Sequence, residues 1–206
     1  MVKIREIIFD QSYACICLDS GERFWLHRDD LPKAGITECG IYDSDSFHQK
    51  IRLFQYPRAL NMAVSMLSRR PCSKGEVLSR LLQRHFSQEV SDLVIYKLEK
   101  ENLVNDREFC DQWIRFRLSR RYGPAIIRQE LKRKGVPDDI ITASFENTDP
   151  SASQNNALEL ARKIWNRTSP DMDIRKRRQK VISSLIRKGY DWDTVSLACK
   201  EAEDPK

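Results

Sequence analysis

Glycine is scarce, with seven in 206 residues. The motifs that depend on it, the GxxxxGK[ST] phosphate loop and the GxSxG nucleophile elbow, are absent. Histidine is scarcer still, at three (His27, His48, His85), and no HExxH pair exists. The six cysteines (Cys15, Cys17, Cys39, Cys72, Cys110, Cys199) are scattered. They lack the two close pairs of ligands that zinc sites use. Cys15 and Cys17 share one face of a strand, yet the set as a whole reads as buried, reduced structural thiols of a cytoplasmic protein. No apolar run approaches the roughly 18 residues that a membrane-spanning helix needs, and MVKIREIIFD does not have the form of a signal peptide. The sequence therefore predicts no catalytic residue, no metal, no cofactor and no membrane contact.

Acidic residues are locally short. Between Arg107 and Gly135 only Glu108, Asp111 and Glu130 oppose nine basic residues. The whole chain carries a formal charge of +6 and a pI near 9.0, with 40% hydrophobic and 32% charged residues. That balance favours acidic partners, nucleic acid first among them, and says nothing about fold. The excess concentrates on a few helical segments. Arg115, Arg117, Arg120, Arg121, Arg128, Lys132 and Arg133 crowd two consecutive ones, and Arg175, Lys176, Arg177, Arg178 and Lys180 crowd a third. Few carboxylates at i±4 balance them, so surface pairing does not absorb the charge. All of these but Lys180, eleven residues, are the candidates for contact with DNA or an acidic protein, because guanidinium groups suit bidentate recognition of phosphate and carboxylate. Most carboxylates fall at helix starts (Asp106, Glu108, Asp138, Asp139, Asp191, Asp193), where they match the helix dipole. Trp113, Trp165 and Trp192 occupy inward positions and read as core.

The pattern along the chain changes once. KIREIIF alternates as a strand does, and SYACICLDSGERFWLHRDDL reads as two strands around the turn Asp19-Ser20-Gly21. After the breakers Pro32, Gly35 and Gly40, Asp45 or Ser46 caps a short helix through Phe47, Ile51 and Phe54. From Ala59 helical period takes over. ALNMAVSMLSRR carries Leu60, Ala63, Val64 and Leu67 on one stripe. Ser73 then caps a second helix with Glu76 as its capping-box partner, bearing Val77, Leu81 and Leu82. A third helix starts near Ser87 and turns Val90, Leu93, Val94 and Leu98 inward. The same plan returns twice. REFCDQWIRFRLSRR buries Phe109, Cys110, Trp113 and Phe116. Pro124 opens a helix bearing Ile127 and Leu131 that Gly135 closes, and Pro137 leads into Ile140, Ile141 and Phe145. A third set carries Leu158, Ala161, Ile164 and Trp165, then Val181 and Leu185 up to Gly189, then Trp192, Val195 and Ala198.

The tetrapeptide LSRR occurs at 67–70 and again at 118–121. The triplets Val77/Leu81/His85, Ile127/Leu131/Gly135 and Val181/Leu185/Gly189 are all spaced by four. His85 thus stands at a helix-closing position where the other two sets have glycine. The chain is read as mainly α: a β-rich N-terminal module at 1–56, then three tandem three-helix repeats at 57–106, 107–150 and 151–206. Such repeats stack into an elongated, curved body. A winged-helix reading of SKGEVLSRLLQRHFSQEVSDLVIYKLEKENLVND fails, because Asn105-Asp106 starts another helix where the wing's hairpin would be.

LVNDREFCDQWIRFRLSRRYGPAIIRQELKRKGVPDDII, at 103–141, resembles the central signature of the RecX regulatory proteins, with Asn105, Asp106, Phe109, Trp113, Arg117, Gly123, Glu130, Leu131, Lys134 and Gly135 in place. ALNMAVSMLSRRPCSKGEVLSRL resembles that family's first repeat, and the likeness extends over about residues 59–200. The resemblance implies a non-enzymatic, cytoplasmic negative regulator of the RecA recombinase, acting in homologous recombination, DNA repair and the SOS response. It implies binding in the groove of the RecA–DNA filament, which limits filament growth, ATP hydrolysis and strand exchange. The partner expected is the RecA filament on DNA, with direct contact to DNA as a second component and the protein itself a monomer. The alternative is a direct, non-specific nucleic-acid binder using the same basic helices.

Overall fold

The structure, a computed structural model, describes residues 1–203. It forms two compact units, Met1–Asn105 and Asp106–Lys206. The first begins with β1 (Val2–Asp10), β2 (Tyr13–Leu18) and β3 (Arg23–His27), antiparallel neighbours in sequence. A 3₁₀ turn at Arg28–Asp30 and a single helical turn, α1 (Leu31–Ala34), follow. The segment after Pro32, expected as plain loop, also supplies β4 (Ile41–Tyr42), which pairs with β1 and completes the order β3-β2-β1-β4. Alternation turns Ala14, Ile16 and Leu18 of β2 into a core shared with Ile4, Leu26, Phe47 and Ile51.

The helix after the sheet is longer than its sequence suggested. α2 (Ser44–Leu67) is capped by Asp43, whose carboxylate accepts from the Ser46 amide at 2.9 Å. It runs unbroken through Pro57, joining the expected short helix to the one expected from Ala59. Proline removes the hydrogen bond to the carbonyl four residues back. That carbonyl belongs to Leu53, and both residues lie on the exposed side of the helix, where a freed carbonyl can hydrogen-bond to solvent at little cost. α2 thus buries Phe47 and Ile51 against the sheet and Ala59 and Ala63 in the next core.

That next core is the first repeat, made by α2 with α3 (Lys74–Gln83) and α4 (Gln88–Lys100). Ser73 and Glu76 form the capping box, and Ser87 caps α4. Val77, Leu81, Val90, Val94 and Leu98 are fully buried, whereas Val64, Leu82 and Leu93, expected inward, lie at the edges of their stripes and are exposed. The sheet and this repeat are tied by polar groups. Gln55, 2% exposed, donates to the Trp25 carbonyl (2.7 Å) and accepts from the Ser87 amide (2.9 Å). Arg58 donates to the buried Asp30 at 2.6 Å, and the His85 ring stacks on Trp25 with centroids 4.3 Å apart.

The second unit holds α5 (Asp106–Ser119), α6 (Pro124–Arg133) and α7 (Asp138–Glu146), then α8 (Pro150–Arg167), α9 (Ile174–Arg187) and α10 (Trp192–Glu203). Each triplet surrounds its own core: Phe109, Cys110, Ile114, Ile127, Leu131 and Ile141 in one, Ala157, Ala161, Trp165, Val181, Leu185 and Val195 in the other. Two aromatic residues expected inward are not. Phe116 is 48% exposed and Trp192 is 62% exposed. Ile114 fills the place assigned to Phe116, and Trp192 begins α10 with no preceding turn to cover it.

The middle helix of every repeat closes in the same way. The Phe86, Val136 and Tyr190 amides donate to the Leu81, Leu131 and Leu185 carbonyls at 3.2, 3.1 and 3.3 Å. The residues just before them, His85, Gly135 and Gly189, have φ of 64°, 75° and 87°. This is the Schellman closure, with a left-handed residue and a buried apolar residue after it. His85 accepts the cost of that conformation and gains the stack on Trp25. Of the six thiols, Cys15, Cys72, Cys110 and Cys199 are buried, but Cys17 is half-buried and Cys39 exposed, contrary to the all-buried expectation.

Candidate functional site

The eleven basic candidates divide into groups held within the fold and groups that face solvent. Arg117 is the most committed. Its side chain is 16% exposed, pairs with Glu130, and lies over the Tyr122 ring at 3.6 Å. The other Glu130 oxygen accepts from the Trp113 indole N–H at 3.1 Å, so one carboxylate positions both an arginine and a tryptophan. Lys188, from the turn after α9, covers Tyr122 as well, at 3.7 Å, so the ring is contacted by two cations from different repeats.

This cluster lies at a junction between backbones. The Gly123 amide donates to the Lys188 carbonyl at 2.7 Å, and the Ala125 amide to the Gly189 carbonyl at 3.1 Å. A Cβ on Gly123 would fall 2.3 Å from the Gly189 oxygen, so only glycine allows the approach. Asn156 of α8 donates to the Leu118 carbonyl at 3.0 Å, and Arg121 pairs with Glu159 of α8 at 2.6 Å. The second and third repeats are therefore fastened turn to turn.

Other candidates are also engaged. Arg177 lies over the Trp165 ring at 4.1 Å and donates to the Trp165 carbonyl (3.0 Å) and to Thr168 Oγ1 (3.1 Å). Arg178 pairs with Glu203, which raises the guanidinium pKa still further. Lys132 pairs with Asp138 at 2.8 Å, and Arg128 covers the Phe145 ring at 4.2 Å. Arg115, Arg120, Arg133, Arg175 and Lys176 are exposed and have no carboxylate partner among the described residues. Arg115 lies on α5 and Arg120 in the turn just after it, so they do not share one helix face. Arg175 and Lys176 are adjacent in the first turn of α9, where the helix dipole disfavours positive charge. The Asp173 cap, accepting from both their amides at 3.0 and 3.2 Å, offsets part of that.

α9 contains no acidic residue. Its exposed side brings Lys180, already part of the basic cluster in the sequence, and Arg187 into the candidate set, neither with a carboxylate partner among the described residues. Their signal in the sequence is the spacing 176, 180 and 187, which falls on one stripe of a helix. No group of three or more His, Cys, Asp or Glu side chains able to hold a metal ion occurs among the described residues. No helix among them is long and apolar enough to cross a membrane.

Three descriptions of one family match the chain in order: "RecX, first three-helix domain" at 59–98, "RecX, second three-helix domain" at 105–144, and "RecX, third three-helix domain" at 152–199. A curated relative from Mycolicibacterium smegmatis, named Regulatory protein RecX, is 30% identical over 149 residues, covering 68% of this chain and 79% of the relative. The chain belongs to the RecX family. A crystal structure of a regulatory protein RecX shares the fold over 98% of this chain and 100% of its own, with a TM-score of 0.65 at 22% identity. That of RecX from Lactobacillus salivarius aligns with a TM-score of 0.66 at 25% identity, over 72% of this chain and 97% of its own. In RecX terms the Arg117–Glu130 pair and the Gly123 turn lie within the second three-helix domain, and the carboxylate-free helix α9 lies within the third.

Proposed function

We propose that this RecX protein is a negative regulator of the RecA recombinase, binding the RecA–DNA filament in its groove and limiting filament growth, ATP hydrolysis and strand exchange. Membership of the family carries the reading. The distribution of charge supports it from the molecule's own side: solvent-facing cations on and just after α5, on α6 and on α9 have no carboxylate partner among the described residues, while the remaining basic candidates consolidate the repeats. Cations in the first turn of α9 are unfavourable for the isolated helix and favourable only against an anionic partner. Arg115, Arg120, Arg133, Arg175 and Lys176 form the proposed contact set. Arg117, Arg121, Arg128, Lys132, Arg177 and Arg178 act by holding the presenting helices.

A regulator that prefers filament to free RecA gains its effect from differential affinity for the assembled state. The test is RecA's ATPase rate on single-stranded DNA, titrated with this protein at constant salt. A falling rate at protein levels well below those of RecA is the expected outcome. An unchanged rate at equal concentration overturns the reading and leaves direct nucleic-acid binding, whose affinity falls steeply with salt as counterions are released.

A further inference from the structure

The third repeat carries a groove of about 840 Å³ along α9, between that helix, the end of α8 and the segment joining them. Its floor is aliphatic: Ile164 of α8, Met172 of the connection, and Ile182 and Ile186 of α9. Ile186 is 46% exposed and faces the groove. One wall is a row of cations, Lys176, Lys180 and Arg187. They lie 0°, about 40° and about 20° around the helix from one another, one ridge some 16 Å long at 1.5 Å per residue. The lining contains no aspartate or glutamate.

We infer that this groove is the docking site for an acidic amphipathic protein segment. An aliphatic floor takes leucine-, isoleucine- or methionine-type side chains, and the cationic ridge takes carboxylates beside them. Single-stranded nucleic acid fits less well, because base recognition of this kind uses aromatic platforms and the floor has none. A helix of about 11 residues covers the 16 Å ridge with its apolar stripe in the groove, the pattern of helix-in-groove recognition. The inference rests on the proposed function only in giving α9 a partner. It refines that proposal by assigning the ridge to protein carboxylates and not to phosphate.

The test uses the full chain and a fluorescein-labelled synthetic helical peptide about 12 residues long, with leucine at i, i+4 and i+7 and glutamates flanking that stripe. Fluorescence anisotropy should show saturable binding, weakened about tenfold or more by Ile186→Glu, which removes the apolar seat and adds repulsion at a solvent-facing position. K176E/K180E should weaken it similarly, and a peptide with lysines replacing the glutamates should recover binding to that variant. Circular dichroism verifies that each variant keeps its helix content. No binding up to about 1 mM, where a contact is too weak to matter, overturns the inference. So does equal binding of a peptide with its leucines changed to alanine, or full displacement by a thymidine oligonucleotide to which Ile186→Glu makes no difference. The RecA ATPase titration separates this from the broader reading. If the wild-type chain slows the ATPase and Ile186→Glu slows it equally, the groove is excluded and the regulator stands; if the wild-type chain has no effect, the regulator falls whatever the peptide does.

Discussion

Gly123→Ala tests the fastening between the second and third repeats most directly. The added methyl would lie 2.3 Å from the Gly189 oxygen, 2.4 Å from its carbonyl carbon and 2.5 Å from the Tyr190 nitrogen, all backbone atoms that cannot rotate aside. Reaching van der Waals separation requires the two turns to part by roughly 1 Å. The Gly123–Lys188 and Ala125–Gly189 hydrogen bonds, now 2.7 and 3.1 Å, would stretch beyond bonding range. Losing both and leaving their groups poorly satisfied costs about 2–5 kcal/mol, a large part of a domain's usual stability. Urea denaturation followed by tryptophan fluorescence is the assay, since Trp113 and Trp165 belong to the affected cores. Gly40→Ala is the control, because its methyl would meet only Tyr42, at 3.8 Å. Gly189→Ala should be at least as costly, with a φ of 87° and Ile126 N 2.7 Å from the new methyl. The double variant should cost less than the sum, because both act on one joint. A loss for Gly123→Ala within about 0.5 kcal/mol of the control would refute the turn-to-turn contact.

Three further outcomes are expected. Gln55→Ala removes the bonds to the Trp25 carbonyl and the Ser87 amide and leaves both half-buried groups poorly satisfied, costing about 2–4 kcal/mol, measured as a shift in urea midpoint. Arg117→Ala leaves the shielded Glu130 without its cation and should destabilise by about 2–3 kcal/mol, whereas Arg120→Ala and Arg175→Ala should stay within about 0.5 kcal/mol in stability and weaken inhibition of RecA's ATPase. Equal melting of all three would remove the division into holding and contacting arginines. Burial pushes the Tyr190 phenol up to about 12 from an ordinary 10, so between those pH values the unfolded chain releases a proton that the folded chain keeps. Stability should therefore fall as pH rises through that window, by on the order of 2 kcal/mol. Tyr190→Phe should remove that part of the slope in urea midpoints taken from pH 9.5 to 12, near the ordinary phenol range.

The repeat architecture was legible because its signals are local. Capping boxes, proline at first turns and the left-handed closure at Gly135 and Gly189 depend on a few adjacent residues, and His85 could be placed by spacing alone. Family membership was legible in the signature around Trp113 and Gly123. Errors arose where a stripe was extended by one residue type too many. Phe116 continues an i, i+3 step from Trp113, but lies about 120° from Cys110, the centre of the buried face. Trp192 is in phase with Val195, yet phase gives no neighbour at a helix start. The sequence reading split α2 between Phe54 and Ala59, because the two apolar stripes face different cores and nothing local shows that the helix runs on through Pro57. Among the basic residues, the division followed distant carboxylates such as Glu159 and Glu203, which helical spacing cannot reveal. Gln55 gave no signal at all: its two partners are 30 and 32 residues away.

The single helix α2 has a consequence for the sheet. A stacked repeat leaves an apolar end that must be closed off if the protein is to stay dissolved. In this chain the closure is made by a β-structure mounted on the same rod as the repeat it protects, and locked to it through Gln55, Arg58 and the Trp25–His85 stack. The sheet is an end-plate. A chain trimmed to its three helical repeats would cut the rod at midpoint, expose the seat of Trp25, and offer that surface to a second trimmed chain.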